Sequence, residues 1–317
     1  MKVIVTGGAG FIGSHLSRKL LQEKHEVLII DNFHPYYLPE RKKQQLSFVE
    51  EMGEFTFIQE NLLSEEAGLR EVFQQFKADC VIHLAAIPGV SHSITAPNEY
   101  VDYDIKGTIN TLRLAGESGV KKFIFASSSS VYGNIGKNAS KEDSVTGAVV
   151  SPYAAAKYSA EAFCQAYASI YDLNMTILRF FTVYGPWGRP DMAISSFIKK
   201  LMQNKEIPIY GLENKRDYTY IDDIVDGTYK AIISKESGTF NIGSGHPISM
   251  KSLINELEKY FPHLDLSLSN RRVGDVVSTW ADITKAKETL GYSPSVSFEE
   301  GIKRTVHWMK KNENVLL

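Results

Sequence analysis

The chain has 317 residues, 43% hydrophobic and 23% charged, with a formal net charge of -2. That composition fits a globular protein, and the near-neutral balance leaves no general field to attract nucleic acid or an anionic membrane. No window reaches transmembrane length, the N-terminal MKVIVTGGAG breaks into glycines too early for a secretory signal, and the two cysteines, Cys80 and Cys164, sit in apolar stretches that suit buried free thiols, so a cytoplasmic protein is expected.

The first half alternates two periods. Short β-branched runs at 3–6, 26–30, 55–59, 80–84, 123–127 and 175–180 read as buried strands. Helical patterns lie between them at 12–22, 65–76, 100–117 and 152–171. Strands alternating with helices predict an α/β fold with a doubly wound parallel sheet, Rossmann-like. After about residue 180 the rhythm loosens. Pro186, Gly188, Pro190, Pro208 and Gly211 punctuate it, and helical patterns return at 224–234, 250–260 and 298–310. The expected division is a cofactor domain over 1–180, to which the chain returns around 221–245, and a smaller mixed α/β substrate lobe over 181–317.

The first strand runs straight into Gly7-Gly8-Ala9-Gly10-Phe11-Ile12-Gly13, and a helix follows. Glycine is needed there for an unusual turn, for close approach of backbone to a pyrophosphate, and for tight helix packing. The helix N-terminus supplies free N–H groups. Asp31 ends the second strand, where an acid suits the ribose hydroxyls of NAD. No lysine or arginine follows within several residues to hold a 2′-phosphate, which favours NAD over NADP.

Ser151-Pro152-Tyr153-Ala154-Ala155-Ala156-Lys157 opens the helix at 152–171. Tyr153 and Lys157 are four apart and share a face. A nearby ammonium and a positive nicotinamide ring would make the phenol a usable base. Four serines, Ser127 to Ser130, end the fifth strand without a charged group among them.

The glycine loop, Asp31, His83-Leu84-Ala85-Ala86, the serines before Val131-Tyr132-Gly133, Tyr153 with Lys157, Arg179 to Pro186 and Arg216 to Asp223 together resemble the extended short-chain dehydrogenase/reductase family along essentially the whole chain. Members with these C-terminal blocks act on nucleotide-activated sugars. The block from Arg179 to Ala193, RFFTVYGPWGRPDMA, is similar to that of the UDP-glucuronate 4-epimerases. The resemblance implies tightly bound NAD that is regenerated each cycle, a UDP-sugar substrate, a homodimer paired through the helices at 100–117 and 152–171, and no metal. It implies Ser128, Tyr153 and Lys157 as catalytic residues. NAD would also meet Gly7, Gly10, Phe11, Ile12, Gly13, Asp31, Asn32, Asn61, Leu62, Leu84, Ala85, Ala86, Ala126, Phe180 and Val183. The substrate would meet Pro88, Ser128, Ser129, Ser130, Thr182, Arg189, Ile209, Tyr210, Arg216, Asp275 and Arg271, with Arg272 an equal alternative to Arg271.

Sugar 4,6-dehydratases of the family carry an Asp-Glu pair at the places of Ser129 and Ser130, and UDP-glucuronate decarboxylases carry Glu at that of Ser130. This chain has neither, so its hydroxyls can hold a sugar carboxylate but cannot run acid–base elimination. Most sugar epimerases have Asn where this chain has Thr182. Glucuronate epimerases usually have Arg where this chain has Ser91, leaving Ser93 or His92 to serve instead. The implied reaction is C4 epimerisation, UDP-glucuronate to UDP-galacturonate through a 4-keto sugar. The alternatives are a 4-epimerase of UDP-glucose or UDP-N-acetylglucosamine, or a UDP-glucuronate decarboxylase.

Overall fold

Strands that are apolar on both faces need cover on both, and the chain supplies it. A computed structural model describes residues 1–64, 67–134, 138–269 and 274–313. In chain order the first half runs β1 (Lys2–Thr6), α1 (Phe11–Gln22), β2 (Glu26–Ile30), α2 (Pro39–Glu50), β3 (Thr56–Ile58), α3 (Ala67–Phe76), β4 (Cys80–His83), α4 (Val90–Thr95), α5 (Pro97–Tyr100), α6 (Gly107–Glu117), β5 (Lys122–Ser128), α7 (Pro152–Tyr171) and β6 (Asn174–Phe180). Then come β7 (Thr182–Tyr184), α8 (Ala193–Met202), β8 (Ile207–Ile209), β9 (Lys215–Tyr220), α9 (Ile221–Ile233), β10 (Gly238–Ile242), β11 (Pro247–Ser249), α10 (Met250–Glu258), β12 (Leu266–Leu268), α11 (Thr284–Leu290) and α12 (Phe298–Lys311).

Seven strands form one sheet in the order β10-β6-β5-β4-β1-β2-β3, every pairing parallel. This is the doubly wound sheet that the alternation predicts. Its side chains alternate faces residue by residue. Val3, Val5, Val27, Ile29, Cys80 and Ile82 pack into one hydrophobic cluster with α1 and α9, while Ile4, Leu28, Ile30 and Val81 pack into a second with α6 and α7. Cys80 and Cys164 fall in different clusters, and both are free thiols. A three-stranded sheet, β11-β9-β7, and the pair β12-β8 lie outside the main sheet.

Two differences from the sequence reading matter, and one expected element falls partly outside the described residues. The helical pattern at 100–117 is not one regular helix: α5 passes into a π-helical segment, Val101–Lys106, before α6 begins. The start of the pattern at 65–76 lies outside the described residues, and α3 is seen from Ala67. Finally, α2 has no counterpart among the predicted elements, because it buries polar side chains, Arg41, Lys42 and Gln45, beside only Leu46 and Val49. No apolar stripe announces such a helix.

A buried polar group ties the sheet to α7. Arg179 on β6 sets two nitrogens on Glu161 of α7, at 2.9 and 2.7 Å, and a third on the Tyr132 hydroxyl at 3.0 Å. The Ser127 hydroxyl donates to the same Glu161 at 2.5 Å. Removing one partner of such a pair strands a charge away from water, which costs about 3–5 kcal/mol. Arg179→Met should therefore lower the unfolding free energy by about that amount, read from urea denaturation. A change under about 1 kcal/mol would show that water replaces the guanidinium.

Candidate active site

In an open parallel sheet the strand order reverses at one point, and ligands bind beyond the carboxyl ends of the strands there. Here that point lies between β1 and β4. A cavity of about 910 Å³ opens at this edge and continues to β7, α8 and the loops of the smaller lobe. It is at the upper end of the range for a single small-molecule pocket.

The glycine loop forms its floor. Gly7 has φ +70°, and a Cβ on it would sit 2.7 Å from the backbone nitrogen of Ala85. A Cβ on Gly13 would meet the Gly7 carbonyl oxygen at 2.3 Å. These contacts let the two strand ends and the first turn of α1 close on one another. Gly10 caps α1 without a side-chain bond, and Gly10, Phe11, Ile12 and Gly13 at the start of the helix line the cavity.

Asp31 is buried and rigidly placed. One oxygen accepts from the Ala9 N–H at 3.2 Å, the other from the Phe33 N–H at 2.8 Å. Lys42 of α2 brings its ammonium to 3.5 Å from Asp31, and the two line the same part of the cavity. Sequence reading missed Lys42 because it sits eleven residues beyond Asp31 on a helix with no apolar signature.

At the other end of the cavity, Pro152 starts α7 and the Ser151 hydroxyl caps it, accepting from the Ala154 N–H at 3.2 Å. Tyr153 and Lys157 both face the cavity. Tyr153 packs edge-on against Tyr100, centroids 6.0 Å apart. The Lys157 ammonium lies 5.2 Å above the Phe125 ring and 3.6 Å from an oxygen of Asp104. Burial pushes the Asp104 carboxyl up to about 6, against the opposing pull of Lys157. Asp104 too was missed: within a predicted helix a lone acid reads as solvated.

Ser128, the last residue of β5, caps a 3-10 turn, Ser129–Tyr132. Its hydroxyl accepts from the Ser130 N–H and donates to the Ser130 hydroxyl, both at 3.2 Å. Ser129, Ser130 and Thr182 line the cavity with it. The Ser127 hydroxyl is spent on Glu161.

The structure brings nearly all the sequence-predicted residues together. Gly7, Gly10, Phe11, Ile12, Gly13, Asp31, Asn32, Asn61, Leu62, Leu84, Ala85, Ala86, Pro88, Ala126, Phe180, Val183, Arg189, Tyr210, Arg216 and Asp275 line the same cavity as the serines, Thr182, Tyr153 and Lys157. Ile209 does not. It is fully buried in the core, since alternation along β8 turns Pro208 and Tyr210 to the cavity and Ile209 away. Arg271 and Arg272 lie outside the described residues. Ser91 and His92 line the cavity, whereas Ser93 is buried with its hydroxyl donating to the Val90 carbonyl at 2.7 Å, so it cannot stand in for an arginine. Arg189 forks onto Asp191 at 3.0 and 2.5 Å, and the Tyr36 hydroxyl donates to Asp191 at 3.1 Å. Among the described residues no cluster of His, Cys, Asp or Glu could hold a metal ion, and no helix is long and apolar enough to cross a membrane.

A parallel sheet with a glycine turn at its switch point, an acid at the end of β2 and a Tyr–Lys pair facing one cavity define a dinucleotide-using enzyme fold. The chain belongs to the NAD dependent epimerase/dehydratase family, whose model matches residues 3–243. It is 41% identical over 312 residues to a UDP-glucuronate 4-epimerase of Thermodesulfobacterium geofontis, an alignment covering 98% of this chain and 96% of that one. The UDP-glucuronic acid 4-epimerase from Bacillus cereus, solved with UDP-glucuronic acid and NAD, superposes with a TM-score of 0.92 at 37% identity, over 98% of this chain and 99% of that one. A UDP-glucose 4-epimerase of Thermotoga maritima, solved with UDP-glucose, gives 0.89 at 32% identity, over 99% and 100%.

A carboxylate placed as Asp31 is would repel a 2′-phosphate bound beside it, and Lys42 would attract one if Asp31 were absent. The wild type should bind NAD at least about tenfold more tightly than NADP, a difference of about 1.4 kcal/mol. Asp31→Ser should bring the two affinities close together in equilibrium titration. Equal affinities in the wild type would remove Asp31 as the selector.

Proposed function

We propose that the chain interconverts UDP-glucuronate and UDP-galacturonate by inverting C4 of the sugar. It is an isomerase of a family that uses NAD. One observation carries the choice of sugar: Ser128, Ser129, Ser130 and Thr182 line the same cavity as Tyr153 and Lys157, and no acid stands at the two positions after Ser128.

The glycine loop and the start of α1 would hold the pyrophosphate of NAD, Asp31 and Lys42 its adenosine ribose, and Lys157 its nicotinamide ribose. When bound, NAD accepts the C4 hydride and later returns it. Tyr153 takes the proton of the C4 hydroxyl, and Ser128 holds that oxygen in reach. A 4-keto sugar results. The sugar turns about its link to the diphosphate, and Tyr153 gives the proton back after its other face is presented. Arg189 and Arg216 hold the diphosphate, with guanidinium forks suited to phosphate oxygens. Asp275 accepts from the uridine ribose, and Tyr210 walls the uracil.

The 4-keto glucuronate is a β-keto acid, and it loses carbon dioxide only when the C5–C6 bond aligns with the carbonyl π system. Ser129, Ser130 and Thr182 hold the carboxylate out of that alignment. A well-aligned hydroxyl bond to a charged acceptor contributes roughly 1.5–3 kcal/mol. The second reading, a neutral UDP-hexose, is favoured by Ser91, which places no fixed charge where glucuronate epimerases usually carry Arg.

The remaining expectations stand as parts of this proposal. A cofactor domain over 1–180 with a return at 221–245, and a substrate lobe over 181–317, fit the place of β10 at the sheet edge. A homodimer through α6 and α7 fits the exposed Phe163 and Ile170, seven residues apart on one face of α7. A cytoplasmic location fits the two free, buried cysteines.

Tyr153→Phe should lower kcat by about 10²–10⁴ with UDP-sugar affinity kept, because the lost group acts in the transition state. Near-normal turnover would remove Tyr153 from the mechanism. Product analysis by NMR, with UDP-glucuronate and UDP-glucose side by side, should show UDP-galacturonate and little pentose. A preference for UDP-glucose would install the second reading, and a dominant UDP-pentose product would make the chain a decarboxylase.

A further inference from the structure

The chain buries two acid–base pairs near the catalytic end, and they differ in kind. Arg179 and Glu161 meet through two hydrogen bonds; Ser127 donates to the Glu161 oxygen that also takes the Arg179 Nε–H, and the Tyr132 hydroxyl accepts from the third guanidinium nitrogen. That is how a structural pair is satisfied. Asp104 and Lys157 stand 3.6 Å apart, beyond hydrogen-bonding distance. One Asp104 oxygen accepts from the Ile87 N–H at 2.7 Å, while the oxygen facing Lys157 has no partner within hydrogen-bonding distance among the described residues. An acid that is 1% exposed and half satisfied is costly unless its charge has a use.

Its position is also specially built. Asp104 belongs to the π-helical segment Val101–Lys106, a geometry that inserts a residue into a helix and recurs at functional sites. A chain of side chains secures the segment from the sheet. The Thr108 hydroxyl donates to the Asp104 carbonyl at 2.5 Å and so accepts from Nε2 of His83 at 3.0 Å. His83 then carries its proton on Nε2 and accepts at Nδ1 from the Thr6 hydroxyl at 2.7 Å. Burial drives the His83 pKa down to about 3, so this link stays neutral.

We propose that Asp104 is the positioning residue and counter-ion of Lys157: its carboxylate keeps the buried ammonium aimed, and its negative charge sets the pH range over which the pair works. The inference rests on Tyr153 and Lys157 being the catalytic pair. The charged and titratable groups around Asp104 leave this role to it. On α7 stand Lys157, Tyr153 and Glu161, the last committed to Arg179. On β4 stands neutral His83, and on α5 Tyr100, whose hydroxyl donates to the Pro88 and Gly89 carbonyls. Within the π segment, Asp102 and Lys106 pair with each other on the exposed side, and Tyr103 packs on His34 of the loop after β2. Lowering pH through about 6 protonates Asp104 and removes the charge, the same change that Asp104→Asn makes permanently.

The test is the pH profile of kcat with UDP-glucuronate for wild type, Asp104→Asn, Asp104→Ser, Lys157→Met and the double variant Asp104→Asn/Lys157→Met. Retained NAD absorbance and a thermal melt report folding. Deleting a buried negative charge lowers the pKa of every neighbour, so both limbs of the profile should move to lower pH by on the order of one unit in both neutral variants. In the Lys157→Met background, Asp104→Asn should change kcat by less than about twofold, since the two act as a unit. Unmoved limbs with kcat reduced equally at all pH, or an undiminished loss in the Lys157→Met background, would make Asp104 merely structural and overturn the proposal. Should Asp104→Asn fail to fold, Asp104→Ser, smaller and equally neutral, decides by the same shift. Near-normal turnover of Lys157→Met would instead sink the catalytic pair itself, a separate failure.

Discussion

The contact between Arg179 and Glu161 aligns the parts that must meet for chemistry. Arg179 lies opposite Ser127 in the parallel register of β5 and β6, one residue before Ser128. Glu161 lies one helical turn beyond Lys157 and two beyond Tyr153 on α7. The guanidinium therefore fixes the end of β5 against the face of α7 that carries the Tyr–Lys pair. The same guanidinium bonds the Tyr132 hydroxyl, which donates to Asn241 of β10 at 2.6 Å. Three sheet strands and α7 are thus set by one charged cluster shielded from water.

The cofactor half was readable because its demands are backbone demands. A parallel strand buried on both faces must be an apolar run, and a turn like that at Gly7 admits little but glycine. Those constraints leave letters in the chain at fixed spacing. Lys42 and Asp104 left none. Each reaches the site through an element whose sequence hides its role: α2 buries polar side chains, and the π segment shifts the register of a helix that otherwise scans as regular. Ile209 shows the opposite limit. The segment around Tyr210 does reach the cavity, but which of two adjacent side chains points in depends on strand phase, and three residues of β8 are too short a run to fix it.

The two ends of the cavity are walled together by one small ionic cluster. Tyr36 comes from the loop after β2, and Arg189 and Asp191 from the loop after β7. Burial and the Asp191 charge raise the Tyr36 phenol to about 12, so it remains a neutral donor to Asp191 at any physiological pH. Asp191 in turn neutralises Arg189 before any anion arrives. Any anion approaching Arg189 would thus meet a guanidinium already oriented, and would compete with a carboxylate for it.

The path of the chain between the main sheet and the smaller lobe has a mechanical consequence. The backbone leaves the sheet after Phe180, comes back at Ile221 to lay α9 beside α1, and leaves again after Ile242. A lobe hung on one linker could swing open like a door. A lobe stitched to its support at several neighbouring points can only flex within the slack of its seams. Anything bound in the cavity would then sit between walls that stay nearly fixed for as long as the stitching holds.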